Sequence, residues 1–362
     1  MQNGLESKCS FAIDRDEINM LSDVLKHYDF DVASVDKVRS AYKVCTEKGN
    51  FCLKRISHGT RKAKKSLSIM EHLKERGSEN IADCFPTKSK KSFIKHKDAA
   101  FYLTNWIEGR EISFKSKEDI MRCVELLACF HIQAKGFEAP KHVKIRNHTK
   151  KWKKTLCRCL EELEKFNEVI DKLKLKAEFD YTYRNNIDYF KRDAEQAIQI
   201  LEHSGYNELC GYYSSEAYVC HDSFYYQNIL IDKSDRMFII DLESCQYDIP
   251  VSDLGKLIRR IISKKRFLWD FDMCRRIVES YCKIRPMTKE EYEMLLALLV
   301  FPHKFWKLGK KRYVRDKKWN EDKYRKKLNR LLRERAYKRE FIYCYISFYG
   351  LDMEYDPDII EL

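Results

Sequence analysis

Residues 31–56 read DVASVDKVRSAYKVCTEKGNFCLKRI, with β-branched and aromatic positions alternating with charged ones and broken by the turn sequence EKGN. A period of two predicts antiparallel strands joined by a tight turn. Ahead of them, residues 14–27 have helical spacing; behind them, KAKKSLSIMEHLKERG predicts a helix stopped by Gly77. Two further short strands are expected at SFIKH and AAFYLTNWI. Beyond Gly109 the pattern turns helical, in long periodic segments over about 117–135, 147–175 and 183–204. Residues 218–243, YVCHDSFYYQNILIDKSDRMFIIDLE, supply the only strand-like pair of the second half, and helices resume near Ser252.

This order of elements predicts an α+β chain of two lobes with a protein-kinase-like arrangement: a small β-rich first lobe with one helix, then a large helical second lobe. The expected bounds are 1–107 for the first lobe and 108–362 for the second, which carries the loop-like segment 218–243 and a basic helical region at 304–340. There is no internal repeat and no Pro- or Gly-rich linker; 11 Gly and 6 Pro fit compact structure with tight connections.

Composition narrows the class. A chain of 362 residues that is 44% hydrophobic can bury a large core, which argues against disorder. The opening MQNGLESKCSFAID has no basic stretch followed by an apolar one, and the longest apolar run, MLLALLVF, is too short for a bilayer, so a soluble chain made in the cytosol is expected. Its 14 cysteines are scattered with no CxxC pair, which argues against a zinc site and for buried, reduced thiols.

Charge is concentrated. Residues 304–340 hold 17 Lys and Arg against 5 acids, a net +12 of the +14 in the whole chain. Leu328, Leu331, Leu332 and Tyr337 recur there at helical spacing, which predicts an amphipathic helix with a solvated basic face. An acidic protein partner or anionic lipid suits such a face; nucleic acid is disfavoured because no nucleic-acid module accompanies the charge.

Candidate chemistry gathers in 218–243. Phosphoryl transfer from ATP needs a Lys for the phosphates, Asn and Asp for Mg²⁺, and a carboxylate beside the attacking hydroxyl. Asn228, and Asp241 in IIDLE, suit the two metal positions. The pattern places its catalytic Asp five residues before the Asn, where Ser223 stands; the carboxylate of this loop is Asp222, one residue early, and His221 keeps the place of the bracing His. In NFCLKR, alternation puts Cys52 and Lys54 on one strand face, which aims Lys54 at phosphates. On the next helix Glu71 or Glu75 could pair with Lys54. The hairpin DKVRSAYKV has no glycine to let backbone amides approach a phosphate, which leaves Arg39, Ser40 and Lys43 to compensate through side chains.

The segments YKVCTEKGNFCLKR, FYLTNWIEGREI, VCHDSFYYQNILID, FIIDLESCQYDIPVSDLGKLIRR and FPHKFWKL together resemble the CotS family of bacterial spore coat proteins, itself similar to aminoglycoside and choline phosphotransferases. The resemblance spans about 31–307. It implies an aminoglycoside phosphotransferase-like fold, synthesis in the mother cell of a sporulating bacterium, and incorporation into the coat beside other coat proteins. It further implies ATP and Mg²⁺ as ligands, with Lys54 on the nucleotide phosphates, Asn228 and Asp241 on the metal, Trp106, Ile107 and Glu108 in the connector flanking the adenine, and Asp253 bracing the loop. Ser223 departs from the phosphotransferase pattern. Two readings follow: a structural or assembly protein of the coat with a degenerate ATP site, or a phosphotransferase acting on a small hydroxyl or amine compound or on a coat protein.

Overall fold

The computed structural model describes residues 13–353 and Tyr355; residues 1–12, read above as lacking a secretion signal, lie outside them. The described residues divide into two compact units, one of 13–119, 130–146 and 221–246, the other of 120–129, 147–220 and the rest from 247 onwards. The loop segment 221–246, grouped by sequence with the helical lobe, thus belongs to the first unit.

In the first unit, α1 (Arg15–Leu25) precedes β1 (Val32–Val38), β2 (Ala41–Thr46) and β3 (Gly49–Ile56); then come α2 (Arg61–Glu75), β4 (Cys84–Phe85), β5 (Ile94–His96), β6 (Ala99–Asn105) and β7 (Gly109–Glu111). Strands β1-β2-β3-β6-β4 form an antiparallel sheet, with β5 also on β6. The EKGN turn closes at Glu47–Lys48, since Thr46 pairs Gly49. Phe51 and Leu53 face a core with Leu21, Val24 and Leu25 of α1, together with Tyr42, Phe101 and Leu103. Alternation therefore leaves Cys52 and Lys54 on the opposite face. Asp14 caps α1, accepting from the Glu17 N–H at 2.8 Å. Gly77, with φ +76°, ends α2 in the left-handed region, and Ser78 N–H donates to the Leu73 carbonyl.

In the first unit, two short strands escaped the periodicity. β4 is two residues long, and β7 sits where a helical pattern was expected to begin. A strand of two or three residues has too few positions to show a period.

The remaining elements in chain order are α3 (Lys117–Gln133), α4 (Trp152–Asp171), α5 (Glu178–Arg184), α6 (Ile187–His203), α7 (Tyr206–Ser215), β8 (Val219–Cys220), β9 (Ile229–Asp232), β10 (Met237–Ile239), β11 (Gln246–Tyr247), α8 (Val251–Ile262), α9 (Phe271–Cys282), α10 (Lys289–Val300), α11 (His303–Gly309), α12 (Glu321–Arg333) and α13 (Arg335–Tyr349). Within the first unit β10-β9-β7 form a three-stranded sheet.

The second unit is helical. Leu163, Phe166, Phe179, Tyr183, Phe190, Phe305, Tyr324 and Leu328 form one of its cores, with Phe305 stacked on Tyr183 at 4.1 Å between ring centroids. The basic region is not one helix. A π-helical turn at Lys310–Val314 follows α11, and the path breaks again at Glu334 between α12 and α13. Leu328 is buried on α12, but Tyr337 lies on the next helix and is 48% exposed, so the spacing joining them does not describe one face.

No disulfide joins the described cysteines, and Cys344 alone among them is exposed. No helix of the described residues is long and apolar enough to cross a membrane.

Candidate functional site

The β9–β10 hairpin sets the site. Ile229 pairs with Ile239, and the ladder continues one step as Ile240 N–H donates to the Asn228 carbonyl at 2.9 Å. Asn228, on a 3₁₀ turn before β9, and Asp241, just after β10, are thereby held side by side. Asp241 has φ +67°, a left-handed conformation that Asp tolerates better than most residues, and it starts the 3₁₀ turn Leu242–Ser244.

Loop 221–228 is fixed largely by its backbone. The His221 ring is fully buried, with Ser223 N–H donating to Nδ1 at 3.3 Å. That leaves Nε2 as the protonated nitrogen, which donates to the Ile240 carbonyl at 3.2 Å. Asn228 Nδ2 donates to the Ser223 carbonyl at 2.9 Å. Ser223 is thus held on both sides of its peptide unit, but it offers no carboxylate. Asp222 has φ +63° and lies in the field of Lys65 on α2. Burial lowers the Lys65 pKa, and Asp222 is among the groups that oppose the shift.

Lys54 is opposite Ala41 and Tyr102 in the sheet. Its Nζ stands 3.4 Å from Asp241 Oδ1 and 3.5 Å from Glu243 Oε1. Glu243 also meets Lys62 Nζ at 3.5 Å, while Lys65 Nζ donates to the Cys245 carbonyl at 2.7 Å. The two α2 candidates, Glu71 and Glu75, are both exposed; the carboxylates at Lys54 come instead from the segment after β10. The physical reason is the turn at Leu242: burying Leu242 sends Asp241 and Glu243 to the same side, towards Lys54.

The glycine-free hairpin is likewise tied to acids. Arg39, with φ +55° in the β1–β2 turn, pairs with Glu111 at 2.6 Å. Lys43 pairs with Glu108 at 2.5 Å and lies 5.4 Å from the Trp106 ring centroid. Both cations suggested above as substitutes for the glycines are already neutralised, and Glu108 in the connector is the counter-ion of one of them. Ile107 is half-buried beside it. Asp253 belongs to the second unit, buried in the first turn of α8 with Lys256 Nζ at 3.9 Å.

A metal-bound nucleotide fits these groups. Asp241 Oδ1 is buried without a hydrogen bond, with the Lys54 ammonium no nearer than 3.4 Å, an acceptor that a metal ion would satisfy more closely. Asn228, with Nδ2 engaged by Ser223, keeps its amide oxygen as an acceptor.

The chain matches the family described as spore coat putative kinase YutH over residues 22–345. It belongs to that family. Spore coat protein S of Bacillus subtilis (strain 168) is 26% identical over 336 residues, covering 90% of this chain and 93% of that protein. Among solved structures, an aminoglycoside phosphotransferase from Alicyclobacillus acidocaldarius has a TM-score of 0.78 at 20% identity, covering 91% of this chain and 96% of that one. A spectinomycin phosphotransferase solved with ADP and spectinomycin has a TM-score of 0.58 at 13% identity, covering 91% and 98%. The fold is therefore aminoglycoside phosphotransferase-like.

The segments that signalled this spore coat family have packing reasons. In WIEGRE, a Cβ on Gly109 would sit 1.9 Å from the Ile231 carbonyl oxygen, so β7 can approach β9 only through glycine. In DLGKLIRR, a Cβ on Gly255 would be 3.0 Å from Leu298 of α10. In PHKFW, Phe305 stacks on Tyr183 and Trp306 Nε1 donates to Glu162 at 2.8 Å. The site residue that sequence reasoning passed over is Glu243; its signal was the acid closing IIDLE, two positions after Asp241.

Proposed function

We propose that this chain is a component of the spore coat whose kinase-like fold serves coat structure or assembly, with a nucleotide site that keeps its phosphate and metal ligands but lacks its base. Ser223 carries this reading. It occupies the place where phosphoryl transfer uses a carboxylate, and its backbone is held there by His221 and Asn228. The nearest carboxylate in sequence, Asp222, lies in the field of Lys65.

Lys54 would meet the phosphates of ATP, and Asn228 and Asp241 would hold Mg²⁺; the ion would supply neutralisation of phosphate charge. Lys54 must first part from Asp241 and Glu243 to do so. Without the base, transfer loses roughly 10²- to 10⁴-fold. Structures of this fold holding ADP, or AMP-PNP with Ca²⁺, support a nucleotide and a divalent ion here. Other coat proteins are the proposed partners, and the coat the proposed location.

Thermal unfolding of the purified chain with and without ATP and Mg²⁺, for wild type and Asp241→Asn, tests ligand retention. A stabilisation that needs both ligands and is lost in the variant is expected; no stabilisation of the wild type would defeat the nucleotide part of the reading.

The second reading, an active phosphotransferase towards a hydroxyl or amine compound or a coat protein, is favoured by Asp241 Oδ1, buried without a hydrogen bond and with Lys54 no nearer than 3.4 Å. It requires Asp222 to act as base. Transfer from labelled ATP that Asp222→Asn abolishes would establish it.

A further inference from the structure

Four lysines surround one indole in the second unit. Lys311 and Lys323 place Nζ 4.8 Å from the Trp319 ring centroid, Lys327 5.3 Å and Lys317 5.7 Å. Cation–π attraction helps to hold each ammonium there. Four like charges about one ring nonetheless repel, and burial together with Lys327, Lys317, Arg315 and Lys323 lowers the Lys311 pKa. The repulsion has no local remedy: the three carboxylates of the adjoining loop and helix start, Asp316, Glu321 and Asp322, are engaged by Lys318, Arg312 and Arg325. The cluster continues along α11, where burial and then Arg259, Arg260, Lys311 and Lys256 lower the Lys307 pKa.

Charge of this density points to an anionic partner, and the side chains discriminate between kinds. Trp319 packs against Tyr324 at 5.2 Å and is ringed by ammonium groups, so it is a poor platform for stacking a base. Three guanidinium groups of this region, the usual two-pronged ligands of phosphate, are engaged elsewhere. Arg312 holds Asp180 and Glu321, Arg325 holds Glu178 and Asp322, and Arg330 holds Glu334. What remains is mostly lysine: Lys317, Lys323 and Lys327 are exposed as point charges, with the exposed Arg315 beside Lys311. The segment carries +12 of the chain's net +14, so most of the excess positive charge lies in this region.

We infer that the lysines around Trp319 form a docking surface for an acidic polypeptide segment rich in Asp and Glu. The surface lies within the second unit, and its function does not depend on nucleotide binding.

The test uses the full chain and a fluorescein-labelled dodecaglutamate peptide, followed by anisotropy at about 50 mM salt, where a Debye length near 14 Å leaves surface charge effective. Lys311→Gln, Lys323→Gln and Lys327→Gln combined should weaken binding by about tenfold or more. A control triple of equal charge change on exposed sites elsewhere, Lys90→Gln, Lys91→Gln and Lys174→Gln, should weaken it less than about twofold. The first triple should also unfold at an unchanged or higher temperature, because it relieves repulsion. Equal losses in the two triples, or no peptide binding by wild type, would overturn the inference. So would tighter binding of a single-stranded or duplex oligonucleotide that depends on the same three lysines, which would reassign the surface to nucleic acid.

Discussion

Lys54 Nζ lies 3.4 Å from Asp241 Oδ1, so the cation proposed to meet phosphate and a carboxylate proposed to hold metal neutralise one another across the site. Glu243 adds a second carboxylate at 3.5 Å. A nucleotide with its metal ion would replace both contacts with like-for-like partners. Lys54→Met should therefore weaken MgATP binding by about tenfold or more, whereas Glu243→Gln should leave it unchanged or tighten it. Calorimetric titration of both variants checks the pair; a Glu243→Gln loss equal to that of Lys54→Met would mean that Glu243 is itself a ligand.

Gly109 joins the connector to the hairpin that holds Asn228. A methyl group there would meet the Ile231 carbonyl at 1.9 Å, a backbone atom that cannot swing aside. Gly109→Ala should cost roughly 1–3 kcal/mol in urea unfolding and weaken MgATP binding as β9 is displaced. Full stability in this variant would show that β7 and β9 can separate freely.

In the second unit, Arg285, Glu291 and Tyr213 form a buried polar knot. Arg285 Nη2 lies 2.7 Å from Glu291 Oε1, which also accepts from the Tyr213 hydroxyl at 2.6 Å. Glu291 further closes the capping box of α10 with Thr288. Glu291→Ala leaves a buried guanidinium unpaired and removes the cap, so a loss of about 3–5 kcal/mol is expected. Denaturant unfolding measures it.

Asp248 introduces a pH dependence. Burial raises its pKa from 3.8 to about 6, although it accepts from Trp152 Nε1 at 2.7 Å and from Ile249 N–H at 2.9 Å. The folded state binds the proton more tightly than the unfolded one. This contribution is therefore fully present below about pH 4 and is lost as pH rises through about 6. Asp248→Asn keeps a neutral acceptor, so its stability relative to wild type should grow by about 2–3 kcal/mol between pH 4 and pH 7. Unfolding curves at the two pH values test the sign.

The legible parts of the fold and site were those fixed by local geometry. Lys54 could be read because a strand's alternation decides its face, and Ser223 because the spacing to Asn228 is a count along the chain. Glu243 could not be assigned, because its role depends on how the turn at Leu242 lies against Lys54 and α2. The ion pairs of Arg39 and Lys43 likewise join elements far apart in sequence. In the basic region the charge was visible, but the breaks were not. A Cβ at Gly309 would meet the Tyr183 hydroxyl at 2.3 Å, a tertiary contact that leaves no periodic trace.

Ser223 is tested most directly by the rate of γ-phosphate transfer or release from ATP in wild type and in Ser223→Asp. The expected result is negligible turnover by a wild type that still binds MgATP, and a gain of roughly 10²-fold or more in the variant. Wild-type turnover of about 1–100 s⁻¹, the range of working kinases, unaffected by substitution at 223, would contradict it.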